Sequence, residues 1–240
     1  MINSLNQENL EKVLFLDIET VPEVKNFYEL SERKQKFWIK KVKRVDGSVD
    51  LPMTDEECAK LFNASGGLHA EFGKIVCITT GYFANGEFNL KSFYNTDEKI
   101  LLQEFATDLN NFKWFTPCGH NAKEFDFPWL NRRLLINGIT TPSILDFTGK
   151  KPWDIKVLDT KEIWKFGQYK GACSLDLLAE LFGIESPKDD IAGKDVYTTY
   201  YQDKDLHRIK VYCEKDVVTL AKILCKWAGK PINFGINNLN

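Results

Sequence analysis

Histidine is scarce in this chain of 240 residues. His69, His120 and His207 are the only imidazoles, and their dispersal favours ordinary core or surface roles over a ligand set. Nor does any Cys-x-x-Cys pair occur: Cys58, Cys77, Cys118, Cys173, Cys213 and Cys225 are scattered, several on apolar faces. That scatter argues against a zinc site or disulfide framework and suits reduced thiols in the cytoplasm. No apolar run approaches membrane-spanning length, and residues 1–12 are polar and acidic rather than basic then apolar, so neither a membrane span nor export is expected. Repeats, low-complexity runs and a convincing linker are missing, which leaves one domain over residues 1–240 as the simplest reading. A net charge of −2 gives no global attraction to nucleic acid, so any capture must come from local patches and bound cations.

What is present is enough for a sizeable core: 43% hydrophobic residues, 28% charged and six tryptophans. The hydrophobic pattern reads as an α/β order. Val13 to Leu16 is a continuous apolar run, the mark of a strand buried on both faces. Residues 24–70 interrupt the pattern as an insertion that is partly helical, where Thr54 with Glu57 forms a capping box ahead of structural residues Ala59, Leu61 and Phe62. Residues 74–83 and 87–94 read as strands joined at Asn85-Gly86, a strong hairpin signal. Thr96 can cap a helix carrying Ile100, Leu101, Phe105 and Leu109. Residues 113–118 read as a strand weakened by Pro117, which fits an edge or a strand end. A helix with Pro128 at its first position ends near Asn137-Gly138, and residues 155–158 form a short strand. Ser174 begins a helix that Gly183 stops, and the spacing of Leu206, Ile209, Val217, Leu220, Ile223, Leu224 and Trp227 predicts a long helix over residues 205–228.

Against that frame, four carboxylates stand out in three separated clusters. Asp17 and Glu19 end the first apolar run, Asp126 closes Asn121-Ala122-Lys123-Glu124-Phe125-Asp126, and Asp216 follows Tyr212 by four residues. A buried strand should not carry unpaired charge. Strand alternation puts Asp17 and Glu19 on one face about 7 Å apart, within reach of one metal cluster. Helical spacing puts the Tyr212 phenol one turn from the Asp216 carboxylate. Acids gathered this way repel one another unless cations lie between them, and oxygen ligands select magnesium or manganese over zinc. Taken alone, an Asp before a helix, as Asp126 is, is more often a cap than a ligand, and an Asp-x-Glu pair is common by chance. Asp159 and Asp190 stay outside the metal set because turns and caps explain them.

In their order these motifs resemble the DEDD superfamily of 3′-5′ exonucleases, tyrosine branch. Asp17-Ile18-Glu19-Thr20 resembles the first motif, Asn121 through Asp126 the second and Tyr212-x-x-x-Asp216 the third. The histidine branch wants His where this chain has Val211. Resemblance runs from about Val13 to Trp227 and is nearest to the proofreading domain of family B DNA polymerases. It implies a ribonuclease H-like mixed sheet flanked by helices. It also implies a stand-alone enzyme that removes nucleoside 5′-monophosphates from the 3′ end of single-stranded nucleic acid, DNA rather than RNA. Two Mg2+ or Mn2+ ions are implied, with Asp17 bridging, Glu19 and Asp216 on the nucleophile side and Asp126 on the second ion. Tyr212 would position water, since a phenol is a poor base at neutral pH. Thr20, Asn121 and Phe125 would touch the terminal nucleotide, although Phe125 also reads as core. An exoribonuclease and a non-catalytic nucleic-acid-binding module are the competing readings, and an endonuclease of the same fold is disfavoured by the third motif.

The insertion carries the strongest local charge. Arg33, Lys34, Lys36, Lys40, Lys41, Lys43 and Arg44 face one acid, Glu32, between residues 31 and 44, with Phe37 and Trp38 interleaved. Two readings stand side by side: a grip on a phosphate backbone, or an amphipathic helix that buries both aromatics and solvates its lysines.

Overall fold

The structure, a computed structural model, describes residues 2, 10–45, 49–50, 53–187 and 190–239, without the side chains of residues 44–45 and 49–50. In chain order the strands are β1 (Val13–Pro22), β2 (Arg44–Val45), β3 (Val49–Asp50), β4 (Gly73–Ala84), β5 (Glu87–Tyr94), β6 (Thr116–Gly119), β7 (Leu158–Asp159) and β8 (Gly235–Asn238). Helices are α1 (Glu32–Val42), α2 (Asp55–Ser65), α3 (Glu98–Leu109), α4 (Asp126–Ile136), α5 (Thr160–Lys165), α6 (Leu175–Leu181), α7 (Val196–Thr198) and α8 (Leu206–Trp227). Six strands form one mixed sheet in the order β7-β6-β1-β4-β5-β8. β1 runs antiparallel to β4 and parallel to β6, so it is central and its apolar run is covered on both faces.

Alternation along β1 builds two cores. Leu14, Leu16 and Ile18 pack with Leu101, Leu102 and Phe105 of α3 and Phe127, Trp129 and Leu130 of α4. Val13 and Phe15 turn the other way, toward Leu178 of α6 and Val217, Leu220 and Leu224 of α8. The Asn85-Gly86 turn has both residues at positive φ, 54° and 81°, the conformation that lets a two-residue loop match strand twist.

Several boundaries differ from the sequence pattern for identifiable reasons. Asp97, not Thr96, caps α3, because its carboxylate accepts from the amides of Lys99 and Ile100. Residues 113–115 are not strand; a 3-10 turn over Asn110–Phe112 delays β6 until Thr116. Pro117 opposes Leu14 of β1 before the ladder to β7 begins at Cys118, so it needs no second partner. β7 is shorter and later than expected, Leu158–Asp159 only. Pro128 is the third rather than the first residue of its helix, still within the turn where amides have no intrahelical partner. Leu61 is 37% exposed, whereas Cys58, Ala59 and Phe62 are core, because α2 buries one face.

The insertion packs α1 on α2. Trp38 is fully buried among Phe27, Phe62 and Phe72, and its Nε1 donates to the Cys58 carbonyl at 2.7 Å. Its ends are zipped together by Pro22 opposite Gly73 and by the Glu23 amide on the Phe72 carbonyl.

One buried ion pair fixes α4, which carries Asp126. Arg133 forks onto Glu98 at the start of α3, with Nε at 2.9 Å, and donates through Nη1 to the Ala70 carbonyl, while Glu98 accepts from the Ile75 amide of β4 at 2.7 Å. Glu98→Ala should lower unfolding stability by about 3–5 kcal/mol in a urea titration, because it strands a buried guanidinium; a loss under about 1 kcal/mol would mean Arg133 finds another partner.

Candidate metal centre and cleft

The alternation that sends Val13 and Phe15 toward α8 sends Asp17 and Glu19 the same way. β6 ends at Gly119, short of Ile18, and the vacated Ile18 amide donates instead to Asp126 Oδ1 at 3.2 Å. A Cβ at Gly119 would strike the Ala122 methyl, so glycine lets the second-motif loop turn this tightly. Asp126 is therefore no helix cap: the residue before α4 makes no side-chain cap bond, and the Asp126 carboxylate reaches the central strand. From the other side, α8 brings Tyr212 and Asp216, whose side chains hydrogen-bond to one another. Its start is fixed by Asp205, which accepts from the Arg208 amide.

Electrostatics show how tightly the acids are gathered. Burial first, then Asp126 and Asp216, holds the Asp17 carboxyl well above the ordinary carboxylate range. Burial, followed by Asp17 and Asp216, raises Glu19 likewise. Asp126 is pushed up to about 7, chiefly by burial, although its own amide and that of Ile18 favour the anion. The Tyr212 phenol is pushed up by burial and then by Asp216, Glu19 and Asp17, so it stays protonated and acts as a donor.

Ligand atoms of Asp17, Glu19 and Cys213 lie within 4.8 Å of one another. Cys213 was not legible as a site residue, though its i+3 spacing to Asp216 was the available signal. Its Sγ lies 3.5 Å from both the carbonyl oxygen and Oδ2 of Asp17. Burial, then a hydrogen bond with Cys77, keeps the thiol well above its usual range, making it a donor to Asp17 rather than a thiolate ligand. Among the described residues no lysine or arginine forms an ion pair with Asp17, Glu19 or Asp126. Converging buried oxygens without a protein cation fit a hard divalent ion.

Beside the acids opens a cleft of about 470 Å³. Glu19, Thr20 and Phe125 line it together with Gly67 and Leu68, with Lys60 and Asn63 of α2, and with Lys194 and Tyr197. The insertion thus forms one wall, which motif reading alone did not reveal. Thr20 spends its hydroxyl on the Gly67 carbonyl at 2.7 Å, and Phe125 is half-buried against Trp129. Asn121 does not line the cleft: it turns through φ 64°, and its Oδ1 accepts from Lys161 at 2.7 Å. Asp159 caps α5 and accepts from the amides of Asn121, Lys123, Lys161 and Glu162, whereas Asp190, expected in a turn or cap, pairs with Arg208.

Residues 67–228 match the model of a family described as predicted 3′-5′ exonucleases related to the exonuclease domain of PolB. The chain belongs to this family. Asp126, Tyr212 and Asp216 fall inside the matched span, whereas Asp17 and Glu19 precede it and join through the β1–β4 pairing. Among solved structures, the family B DNA polymerase from the hyperthermophilic archaeon Pyrobaculum calidifontis is similar, with a TM-score of 0.56 and 16% identity over 89% of this chain. That alignment spans 24% of the polymerase, and it shows the fold: a mixed sheet flanked by helices, as in the exonuclease part of such enzymes. No curated protein matches the chain. No helix among the described residues is long and apolar enough to cross a membrane.

The raised acids give a signed pH dependence. A carboxyl at about 7 when folded and near 3.8 when unfolded adds stability that is fully present below 3.8 and lost as pH rises through 7. The metal-free protein should therefore melt at a lower temperature at pH 8 than at pH 5.5, and Asp126→Asn should flatten that slope. A melting temperature independent of pH over this range would show that these acids do not bind protons in the fold.

Proposed function

We propose that this protein is a 3′-5′ exonuclease acting on single-stranded nucleic acid, DNA in preference to RNA, and releasing nucleoside 5′-monophosphates. One observation carries the reading: acids from three remote motifs converge with a buried tyrosine midway along β1, beside an open cleft. The likeness to a family B DNA polymerase supports the choice of DNA.

Asp17, Glu19, Asp126 and Asp216 would hold two Mg2+ or Mn2+ ions, which when bound supply Lewis-acid stabilisation of the phosphate and an activated water. Water oxygen bonds to phosphorus as the bond to the 3′ oxygen of the preceding nucleotide breaks, and that oxygen takes up a proton. Tyr212, held protonated with its O–H on Asp216, orients the attacking water by accepting a hydrogen bond from it at the phenol oxygen. Phe125 offers a ring face to the terminal base, and Thr20 shapes the cleft beside it. Asn121 joins the substrate contacts by exchanging Lys161 for the nucleotide. Cys213 holds the Asp17 carboxylate in orientation through its Sγ–H.

With 5′-labelled single-stranded DNA and manganese, the wild type should give a ladder of stepwise shortened products, and Asp17→Asn and Asp216→Asn should give none. Full activity in either variant would remove that residue from the mechanism, and shortening of RNA alone would reverse the sugar preference. Tyr212→Phe should lower kcat on the order of 10²-fold with little change in KM, the scale of a misplaced reactant. A loss confined to KM would make the tyrosine a substrate contact instead.

A further inference from the structure

The basic helix α1 divides its cations between two jobs. On its flanks, Lys34 pairs with Glu23 at 2.6 Å and Lys41 with Glu71 at 3.6 Å, while Lys43 at its end pairs with Asp55 at 3.1 Å, so these three neutralise acids of the protein itself. Arg33, Lys36 and Lys40 are exposed and form no ion pair with any described residue. Their positions, with Phe37, are i, i+3, i+7 and i+4 of one helix, which makes a single stripe about two turns long. Trp38 and Val42 lie on the opposite side of the helix, and Trp38 is fully buried. Phe37 is 52% exposed, and the Arg33 guanidinium lies 5.7 Å from its ring centroid. The two sequence readings thus apply to different residues: Trp38 is core, and Phe37 belongs to the surface.

We infer that this stripe, Arg33, Lys36, Phe37 and Lys40, is a second contact for the unpaired substrate strand, upstream of the terminal nucleotide. The inference rests on the exonuclease reading for its ligand. Three unneutralised cations spaced along a helix complement a polyanionic backbone, and an exposed ring among them offers a stacking face that tolerates any base. Placement agrees. α1 packs on α2 through Trp38 and the Cys58 carbonyl, and Lys60 and Asn63 of the same α2 line the cleft, so the insertion carries both the cleft wall and the stripe. With neighbouring helices about 10 Å apart, a strand held at its end in the cleft meets the stripe several nucleotides further back.

The test uses the full chain carrying Asp216→Asn, with magnesium and fluorescent single-stranded DNA of about 20 nucleotides. Combined Arg33→Gln, Lys36→Gln and Lys40→Gln should flatten the plot of log affinity against log salt by about 2, the amount expected for three phosphate contacts to a single strand. The same change at Lys34, Lys41 and Lys43 should leave the slope in place. Phe37→Ala should weaken binding roughly tenfold and abolish quenching of a 2-aminopurine placed upstream of the 3′ end. All the substituted side chains are exposed or partly exposed, and a thermal melt checks that each variant is folded. An unchanged slope together with unchanged quenching would overturn the inference, and capture of an acidic protein in place of DNA would reassign the surface. A wild type that binds DNA through the stripe yet never shortens it would sink the exonuclease reading alone.

Discussion

Mutual repulsion among buried carboxylates is the constraint around which this fold is arranged. Asp17 and Glu19 extend a strand that is otherwise apolar, and Asp126 and Asp216 are brought against them from helices on opposite faces of the sheet. In isolation such a cluster opposes folding. It persists because two apolar layers clamp β1 from both sides and because the Arg133–Glu98 pair locks α3, α4 and β4 together behind it. The rigid parts of the molecule thus hold in place a centre that is unfavourable until protons or cations enter it.

Much of this was legible in the chain because the site follows periodic rules. Alternation placed Asp17 with Glu19, and helical spacing placed Tyr212 with Asp216. The Asn85-Gly86 hairpin, the Thr54–Glu57 capping box and the Ser174 and Gly183 helix signals appear where the letters put them. Local chemistry misled where two residues competed for one role, as when Asp97 displaced Thr96 as cap, or where a chain turned before pairing, as at residues 113–115. The second-motif position of Asn121 gave no sign of the hydrogen bond that its Oδ1 accepts from Lys161, forty residues on. The Lys60 and Asn63 wall could not be read from the sequence, and the spacing of Cys213 to Asp216 hinted only at a shared helix face, since the wall and the Cys213–Asp17 contact depend on which surfaces meet across long separations.

The converging acids and the wall of the cleft come from different stretches of chain. Asp17 and Glu19 sit on β1, Asp126 on α4 and Asp216 on α8. One wall of the cleft, and the exposed stripe on α1, come from the insertion, of which all but the last few residues precede the family-matched span. On the proposed exonuclease reading, change in α1 and α2 would alter which strands are accepted while the carboxylates stay as they are.

Pairing β1 with β4 across an intervening segment of about fifty residues also bears on how the chain reaches this state. Closing a flexible loop of that length instead of a tight hairpin costs about 2 kcal/mol in entropy. The cluster of Phe27, Trp38, Phe62 and Phe72 draws the two ends of the segment toward each other, and Pro22 opposite Gly73 zips them shut. A compact excursion of this kind behaves as a short connection, so β1 and β4 can find their register at little more than the cost of a turn.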